Sequence, residues 1–194
     1  MNRADAVLAY APVLAGLTPY FDDVVVWPAA RLRMRIYEWP ADPPPDALIT
    51  SGRAVVFRRS QVVVVRQHDG VRHVVPGGRR EEGETLEETI RREVLEECGW
   101  RVEGLSPFAL LYFQTLEADP ARQPQGLGDF AHIVCVAEGR SHDRRALDRT
   151  QIEAGARLSS VAAARAGLSA GYLAMLDGAL AARRRFRINP CPWP

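Results

Sequence analysis

The chain has 194 residues, of which 47% are apolar and 25% are charged, and its formal net charge at pH 7 is +1. This length and composition are typical of one globular domain with an extension. The near-neutral balance argues against nucleic acid and membrane surfaces as partners, since broad electrostatic attraction needs a large excess of one sign. No apolar stretch is long enough to span a bilayer.

Cysteine and histidine are sparse and show no metal-ligand spacing. An odd number of cysteines is no disulfide framework. It fits a reducing compartment, so a cytoplasmic location is expected. The histidines share no spacing, and surface or strand-edge positions are expected for them. These residues are Cys98, Cys135, Cys191, His68, His73, His132 and His142.

The first 48 residues read as an N-terminal extension made of a helix and strands. Residues 4–16 predict a short amphipathic helix, and residues 24–28 predict a strand. Residues 31–39 alternate apolar residues with arginines, which is the period of a half-buried strand.

A proline-rich run at residues 40–46 ends this extension. Proline lacks the amide donor and stiffens the backbone, so neither a helix nor a strand continues through it. The predicted division is therefore an extension over residues 1–48, a main domain over 49–187 and a tail over 188–194.

The main domain shows strands, a helix, more strands and a closing helix. Strands are predicted from apolar runs and turn signals, and helices from the longer amphipathic pattern. This order predicts an α+β fold, with helices on both faces of a mixed sheet. The predicted strands are 53–59, 61–67, 71–75, 108–115, 130–138 and 156–161, and the predicted helices run from just after Thr85 to Gly99 and over 168–185.

Residues 76–100, PGGRREEGETLEETIRREVLEECGW, combine a glycine turn with many carboxylates. Thr85 and Glu88 have the spacing of a capping box, which predicts that a helix begins just after Thr85. Gly99 is a natural helix end. Leu86, Ile90 and Val94 recur every four residues and predict a buried stripe along this helix.

Three glutamates of this helix, Glu93, Glu96 and Glu97, are spaced to lie within one turn on a neighbouring face. Like charges at this spacing destabilise a helix, and Arg92 can offset only part of the repulsion. One reading is a solvated acidic helix. The other is a site for Mg²⁺ or Mn²⁺, which prefer carboxylate oxygens and can then clamp a phosphate and activate water.

The spacing in this stretch resembles the Nudix box: Gly, five residues, Glu, seven residues, Arg-Glu, aliphatic, any, Glu-Glu, any, Gly, aliphatic. Trp100 stands where an aliphatic residue is usual, so altered packing is expected there. Val94 fits the first aliphatic position. The seven fixed positions all match, as Gly78, Glu84, Arg92, Glu93, Glu96, Glu97 and Gly99.

The resemblance implies a metal-dependent hydrolase that cleaves a nucleoside diphosphate linked to another group by attack of water on phosphorus. It implies that Glu93 and Glu97 are the principal metal ligands, with Glu96 in the same shell and the carbonyl of Gly77 completing it. By the same resemblance Arg92 orients the carboxylates, Glu84 supports the loop or a second metal, and Gly78 belongs to the glycine loop.

The general base stays open at this point. Some Nudix enzymes use a glutamate of the box and others use one from a later loop. Outside the box the candidates are Glu117, Glu138 and Glu153, and Glu138 and Glu153 bracket a loop that would lie near the site.

The substrate stays open as well. An ADP-ribose-like compound, a nucleotide sugar and a nucleoside triphosphate all remain candidates, whereas near-neutral charge argues against capped RNA ends. The alternative function is a non-catalytic Nudix module that binds a nucleotide and regulates a partner. By analogy with one branch of the family, the N-terminal extension is a candidate arm for a homodimer.

Overall fold

The computed structural model describes residues 1–119, 128–147 and 153–186, apart from the side chains of Glu153, Ala154 and Phe186. The chain divides into two compact units. Unit 1 contains residues Met1–Thr50 and Ala109–Ile133, and unit 2 contains residues Ser51–Phe108 and Val134–Pro194.

Unit 1 begins with helix α1, Arg3–Ala15, followed by strands β1, Phe21–Trp27, and β2, Ala30–Glu38. The side chain of Asn2 caps α1 by accepting a hydrogen bond from the amide of Asp5 at 3.0 Å. Strands β1 and β2 form an antiparallel hairpin. The helix and both strands predicted for the extension are therefore confirmed.

The second half of strand β7, Trp100–Ala118, pairs with β2 in unit 1. The register runs from Ala30 opposite Ala118 to Glu38 opposite Ala109. Residues from the predicted extension and from the predicted main domain thus share one antiparallel ladder. A short 3-10 turn over Asp46–Leu48 follows the proline-rich run.

Aromatic side chains form much of the interior of unit 1. Phe130 opens strand β8, Phe130–His142, and stacks on Phe113 with 4.9 Å between the ring centroids. His132 and Trp27 also contact the Phe113 ring. His132 is buried here, so the expected surface or strand-edge position is wrong for this histidine.

Unit 2 is built around the hairpin of strands β3, Ile49–Arg58, and β4, Gln61–Gln67. Strand β3 pairs with β4 at the hairpin turn and with β6, while β4 pairs with β5 and β9, and all four pairings are antiparallel. Six valines and a phenylalanine of β3 and β4 are buried, as expected for core strands. The bounds of the other strands are β5, Arg72–His73; β6, Gly77–Arg79; and β9, Glu153–Ser160.

The glycine turn is the main correction to the predicted elements. Gly78 lies in strand β6, and the prediction that it belongs to a loop is wrong. Gly78 pairs with Gly52 of β3, so two residues without side chains face each other across the ladder. Strand β9 also differs from the prediction, since it begins at Glu153 and ends at Ser160, where the next helix begins.

The helices of unit 2 are α2, Leu86–Cys98; α3, Val161–Arg165; and α4, Ala170–Phe186. The predicted bounds of α2 are confirmed, and α4 matches the predicted closing helix to within a few residues. Among the described residues, no helix has the length and apolar character needed to cross a membrane. The predicted α+β class is confirmed.

Helix α2 approaches β3 closely because position 52 has no side chain. A Cβ atom on Gly52 would lie 2.6 Å from Cγ1 of Ile90 and 2.8 Å from Cδ1 of Leu86. Ile90 and Val94 are fully buried, so the predicted apolar stripe is the packed face of α2. This close contact sets the distance between α2 and β3. It therefore also sets the position of the α2 carboxylates relative to the strand.

We expect Gly52→Ala to destabilise the protein by about 1–3 kcal/mol, because the added methyl group overpacks a closed contact. Gly16→Ala is the control, since a Cβ atom there meets its nearest neighbour at 3.5 Å. Urea denaturation measures both variants. Equal stability of Gly52→Ala and the wild type would contradict the packing argument.

Candidate active site

Helix α2 begins at a complete capping box. The side chain of Thr85 accepts from the amide of Glu88 at 3.2 Å, and the Glu88 carboxylate accepts from the amide of Thr85 at 2.8 Å. The helix ends at Gly99, whose positive φ of 70° suits glycine. These local signals set the limits of α2. Within those limits the helical period places Glu93, Glu96 and Glu97 within about one turn of each other.

Arg92 is the centre of the carboxylate cluster. Its Nε and Nη2 atoms donate to the two oxygens of Glu84 at 2.6 and 3.0 Å, which is a bidentate pair. Its Nη1 atom donates to Glu93 at 2.9 Å and to Glu96 at 3.2 Å. One guanidinium thus joins three of the four predicted acidic residues, and it bonds a single oxygen of Glu93 and of Glu96.

Glu84 is tied into this cluster from the segment before the helix. Hydrogen bonding from Arg92 lowers the pKa of Glu84 to about 2, and the amide of Glu81 and the hydroxyl of Thr89 act in the same direction. The hydroxyl of Thr89 donates to Glu84 Oε2 at 2.8 Å. Glu84 is therefore a charged anchor for Arg92.

Glu93 is a buried carboxylate that lies against Gly78 of β6. Its residue exposure is 8%, and burial raises its pKa above the usual value, although Arg92 opposes the shift. A Cβ atom on Gly78 would lie 2.4 Å from the carboxyl carbon of Glu93. Only glycine at position 78 leaves space for this carboxylate.

Glu97 lies one turn further along α2 and is equally buried, at 7% exposure. Its Oε2 atom accepts a hydrogen bond from the amide of Gly77 at 3.0 Å. Gly77 has a φ of 143°, and a Cβ atom there would lie 2.3 Å from the carbonyl oxygen of Gly52. The two glycines therefore let β6 pass against both buried carboxylates.

The donor set fits a hard divalent cation in its chemistry. Buried carboxylates in proteins are found paired or bound to metal, and Mg²⁺ and Mn²⁺ take such oxygens. Within the described parts of the chain, however, no three carboxylate, imidazole or thiolate side chains are grouped closely enough to hold a metal ion as they stand. Arg92 holds Glu93 and Glu96 in this arrangement.

The candidate bases outside the box are engaged elsewhere or are not described. Glu138 accepts a hydrogen bond from Nε of Arg183 at 2.8 Å, and this pair joins β8 to α4. Glu117 is a largely exposed residue of unit 1 and pairs with Arg31 at 3.2 Å. Glu153 begins β9, and its side chain lies outside the described residues.

Trp100, the irregular position of the box, packs against a glycine. A Cβ atom on Gly139 would lie 2.8 Å from the Trp100 ring, and the ring also meets His142 edge-on at 5.1 Å between centroids. The expected altered packing is thus a large ring accommodated by a small residue on β8.

Sequence reasoning missed a buried group beside the site. His73 is 2% exposed, so the expected surface position is wrong, but it lies on β5 at an edge of the sheet, as the strand-edge alternative predicts. Burial is the larger cause and the charge of Arg53 the smaller cause that lower its pKa to about 4. Its ring lies 5.6 Å from that of Tyr172, and the charges of both Arg53 and Glu97 act on Tyr172. No local sequence signal places β5 against α4, so this contact could not be found from the sequence.

The comparison with known families agrees with this geometry. The NUDIX domain model matches residues 49–175. The chain belongs to the NUDIX domain family. The resemblance of residues 78–100 to the Nudix box is thereby confirmed, and the protein is placed among the Nudix hydrolases. No curated protein sequence matches this chain.

Solved structures agree on the fold. The Bacillus subtilis pyrophosphohydrolase BsRppH aligns with 18% identity and a TM-score of 0.51 over 66% of this chain and 72% of its own. A NUDIX hydrolase from Nitrosomonas europaea aligns with 18% identity and a TM-score of 0.53 over 69% of this chain and 88% of its own. At this identity the likeness shows a shared fold.

The pair of Glu84 and Arg92 predicts a pH dependence of stability. The folded-state pKa of Glu84, about 2, lies below its usual value of 4.5. Its contribution is therefore complete above about pH 4.5 and is lost as the pH falls toward 2. We expect the difference in free energy of unfolding between wild type and Glu84→Gln to shrink over this range. Urea titrations at several pH values measure it, and a constant difference would contradict the charged pairing.

Proposed function

We propose that the protein is a metal-dependent pyrophosphohydrolase that cleaves a nucleoside diphosphate linked to another moiety. A metal ion would supply Lewis-acid stabilisation of the phosphoryl oxygens and a reactive water. The proposal rests on the two buried carboxylates, Glu93 and Glu97, which lie against the glycines of β6. Burying two charges is costly unless a cation balances them.

In this proposal Glu93 and Glu97 are the principal ligands of Mg²⁺ or Mn²⁺, with Glu96 in the same shell and the carbonyl of Gly77 as a further donor. Arg92 bonds one oxygen of Glu93 and one of Glu96, and it thereby orients both carboxylates. Glu84 holds the guanidinium from its other edge. Arg92 and Glu84 would thus orient two of the three carboxylates before an ion binds, and the three would still have to draw closer around the ion.

The general base is proposed to be a glutamate of the box. The ion pairs of Glu138 with Arg183 and of Glu117 with Arg31 support this choice over those two residues. Glu153 remains the alternative base.

The substrate class follows from the same proposal. ADP-ribose-like compounds, nucleotide sugars and nucleoside triphosphates all carry the diphosphate that the carboxylates and their metal would engage. We propose action in the cytoplasm and, by analogy, a homodimer built through residues 1–48. The alternative is a non-catalytic module that binds a nucleotide, and the intact set of box residues supports the enzyme over it.

Glu97→Gln should lower turnover at least about a hundredfold, because it replaces a charged metal ligand by a neutral amide of the same shape. The amide oxygen can still accept from Gly77, so the fold should be kept. Glu82→Gln is the matched control, since Glu82 is exposed in the same stretch. A panel of nucleoside diphosphate derivatives with Mg²⁺, scored for products by mass, measures turnover. Wild-type turnover in Glu97→Gln would refute the ligand assignment.

Chelation should abolish hydrolysis, and added Mg²⁺ or Mn²⁺ should restore it, because the acidic cluster without a cation repels the phosphates of the substrate. The measurement is the initial rate in excess EDTA and after back-titration with each ion. Full activity in excess EDTA would contradict the metal-dependent mechanism, and no cleavage of any compound would favour the binding module.

A further inference from the structure

A pocket of about 320 Å³ in unit 2 is lined by three arginines and by none of the box carboxylates. It is formed by strands β4, β5 and β9. Its volume is at the lower end for small-molecule sites. The lining residues are Val64, Arg66, Arg72, Gly155, Ala156 and Arg157.

The strand register places the three arginines on the same face. Arg66 lies opposite Arg72 of β5 and opposite Gly155 of β9, while Arg157 lies opposite Val64. Residues directly opposite in an antiparallel pair share a face, and so do residues two apart along a strand. All three arginines therefore line the same pocket, where the guanidinium of Arg72 also lies against Gly167.

This concentration of positive charge is unfavourable for the protein alone. Arg66 and Arg72 are a like-charge pair directly across two strands, an arrangement that destabilises a sheet. Among the described side chains, no carboxylate forms an ion pair with any of the three arginines. An anion in the pocket would remove the repulsion.

The pocket has space for such an anion. Gly155 has a φ of 147°, and no heavy atom lies within 4 Å of the position of a Cβ atom there. The neighbouring side chain of Val64 is nearly fully buried and forms an apolar wall. A ligand group can therefore reach Arg66 and Arg157 at once without displacing a side chain at position 155.

We propose that this pocket binds a phosphoryl group. Arginine forks match the oxygens of phosphate in a bidentate way. A terminal phosphate carries about two negative charges at neutral pH, so it balances the arginine charges better than a single carboxylate does. The phosphoryl group has two possible sources. One is the phosphate of the nucleotide substrate that lies farthest from the metal ligands, and the other is a free anion, phosphate or pyrophosphate. The proposal holds for either source because no proposed metal ligand lines the pocket.

Isothermal titration of the full chain with inorganic pyrophosphate, in EDTA and at low salt, tests the site apart from any metal. We expect the wild type to bind. We expect Arg66→Gln and Arg157→Gln each to weaken binding by about tenfold or more, since each loses charge-assisted hydrogen bonds. Arg66→Lys, which keeps the charge, should bind with intermediate affinity.

Arg184→Gln is the matched control, because Arg184 is an exposed arginine of α4 outside the pocket. It should bind pyrophosphate like the wild type. The melting temperature of Arg66→Gln should not fall, since a like-charge contact is removed. The proposal is overturned if the wild type does not bind, or if Arg66→Gln and Arg157→Gln bind as tightly as the wild type.

Hydrolysis kinetics then identify the source of the phosphoryl group. A raised KM with an unchanged kcat in Arg66→Gln and Arg157→Gln assigns the pocket to the substrate's own phosphate. An unchanged KM, with pyrophosphate binding lost, assigns it to a free anion. If no nucleotide is cleaved at all, the proposed hydrolase function fails, while the titration in EDTA still decides whether the phosphoryl site exists.

Discussion

The hydrogen bonding of one guanidinium to three carboxylates is the constraint on which the site depends. Helix α2 places Glu93 and Glu96 within one turn, where their charges repel. Arg92 donates to both and is itself held by the two oxygens of Glu84. The hydrogen bonds from Arg92 thus offset the electrostatic repulsion between the carboxylates. The same hydrogen bonds set the orientation of Glu93 and Glu96.

The second constraint is the absence of side chains on the facing strands. Gly52 allows α2 to pack directly on β3, and Gly78 leaves the volume that the Glu93 carboxylate occupies. Gly77 brings its amide to Glu97. These glycines are steric requirements of the buried acids, so the glycine stretch and the acidic helix act as one structural unit.

The bounds and chemistry of α2 could be predicted because their signals are local. Thr85, Glu88 and Gly99 specify where the helix begins and ends, and the spacing of the box acids follows from the helical period. The strand character of Gly78 could not be predicted, because it depends on pairing with Gly52, which is remote in sequence.

Other features could not be predicted from the sequence because they also depend on contacts between residues that are remote in the chain. The fit of Trp100 against Gly139 and the burial of His73 against Tyr172 arise where separate elements meet. The pairing of β2 with β7 likewise joins residues that the sequence assigned to different parts of the chain. The placement of Arg66, Arg72 and Arg157 along one pocket depends on the strand register, which the apolar pattern of β4 alone does not supply.

In the proposed function Arg92 orients the carboxylates for a metal ion, and Mn²⁺ binding tests this role most directly. Calorimetric titration would compare the wild type with Arg92→Gln. Charge alone predicts tighter binding by the variant, because a cation beside the site is removed. Orientation by Arg92 predicts the opposite, a loss of about tenfold or more in affinity. Weaker binding by Arg92→Gln supports the account, and unchanged or tighter binding contradicts it.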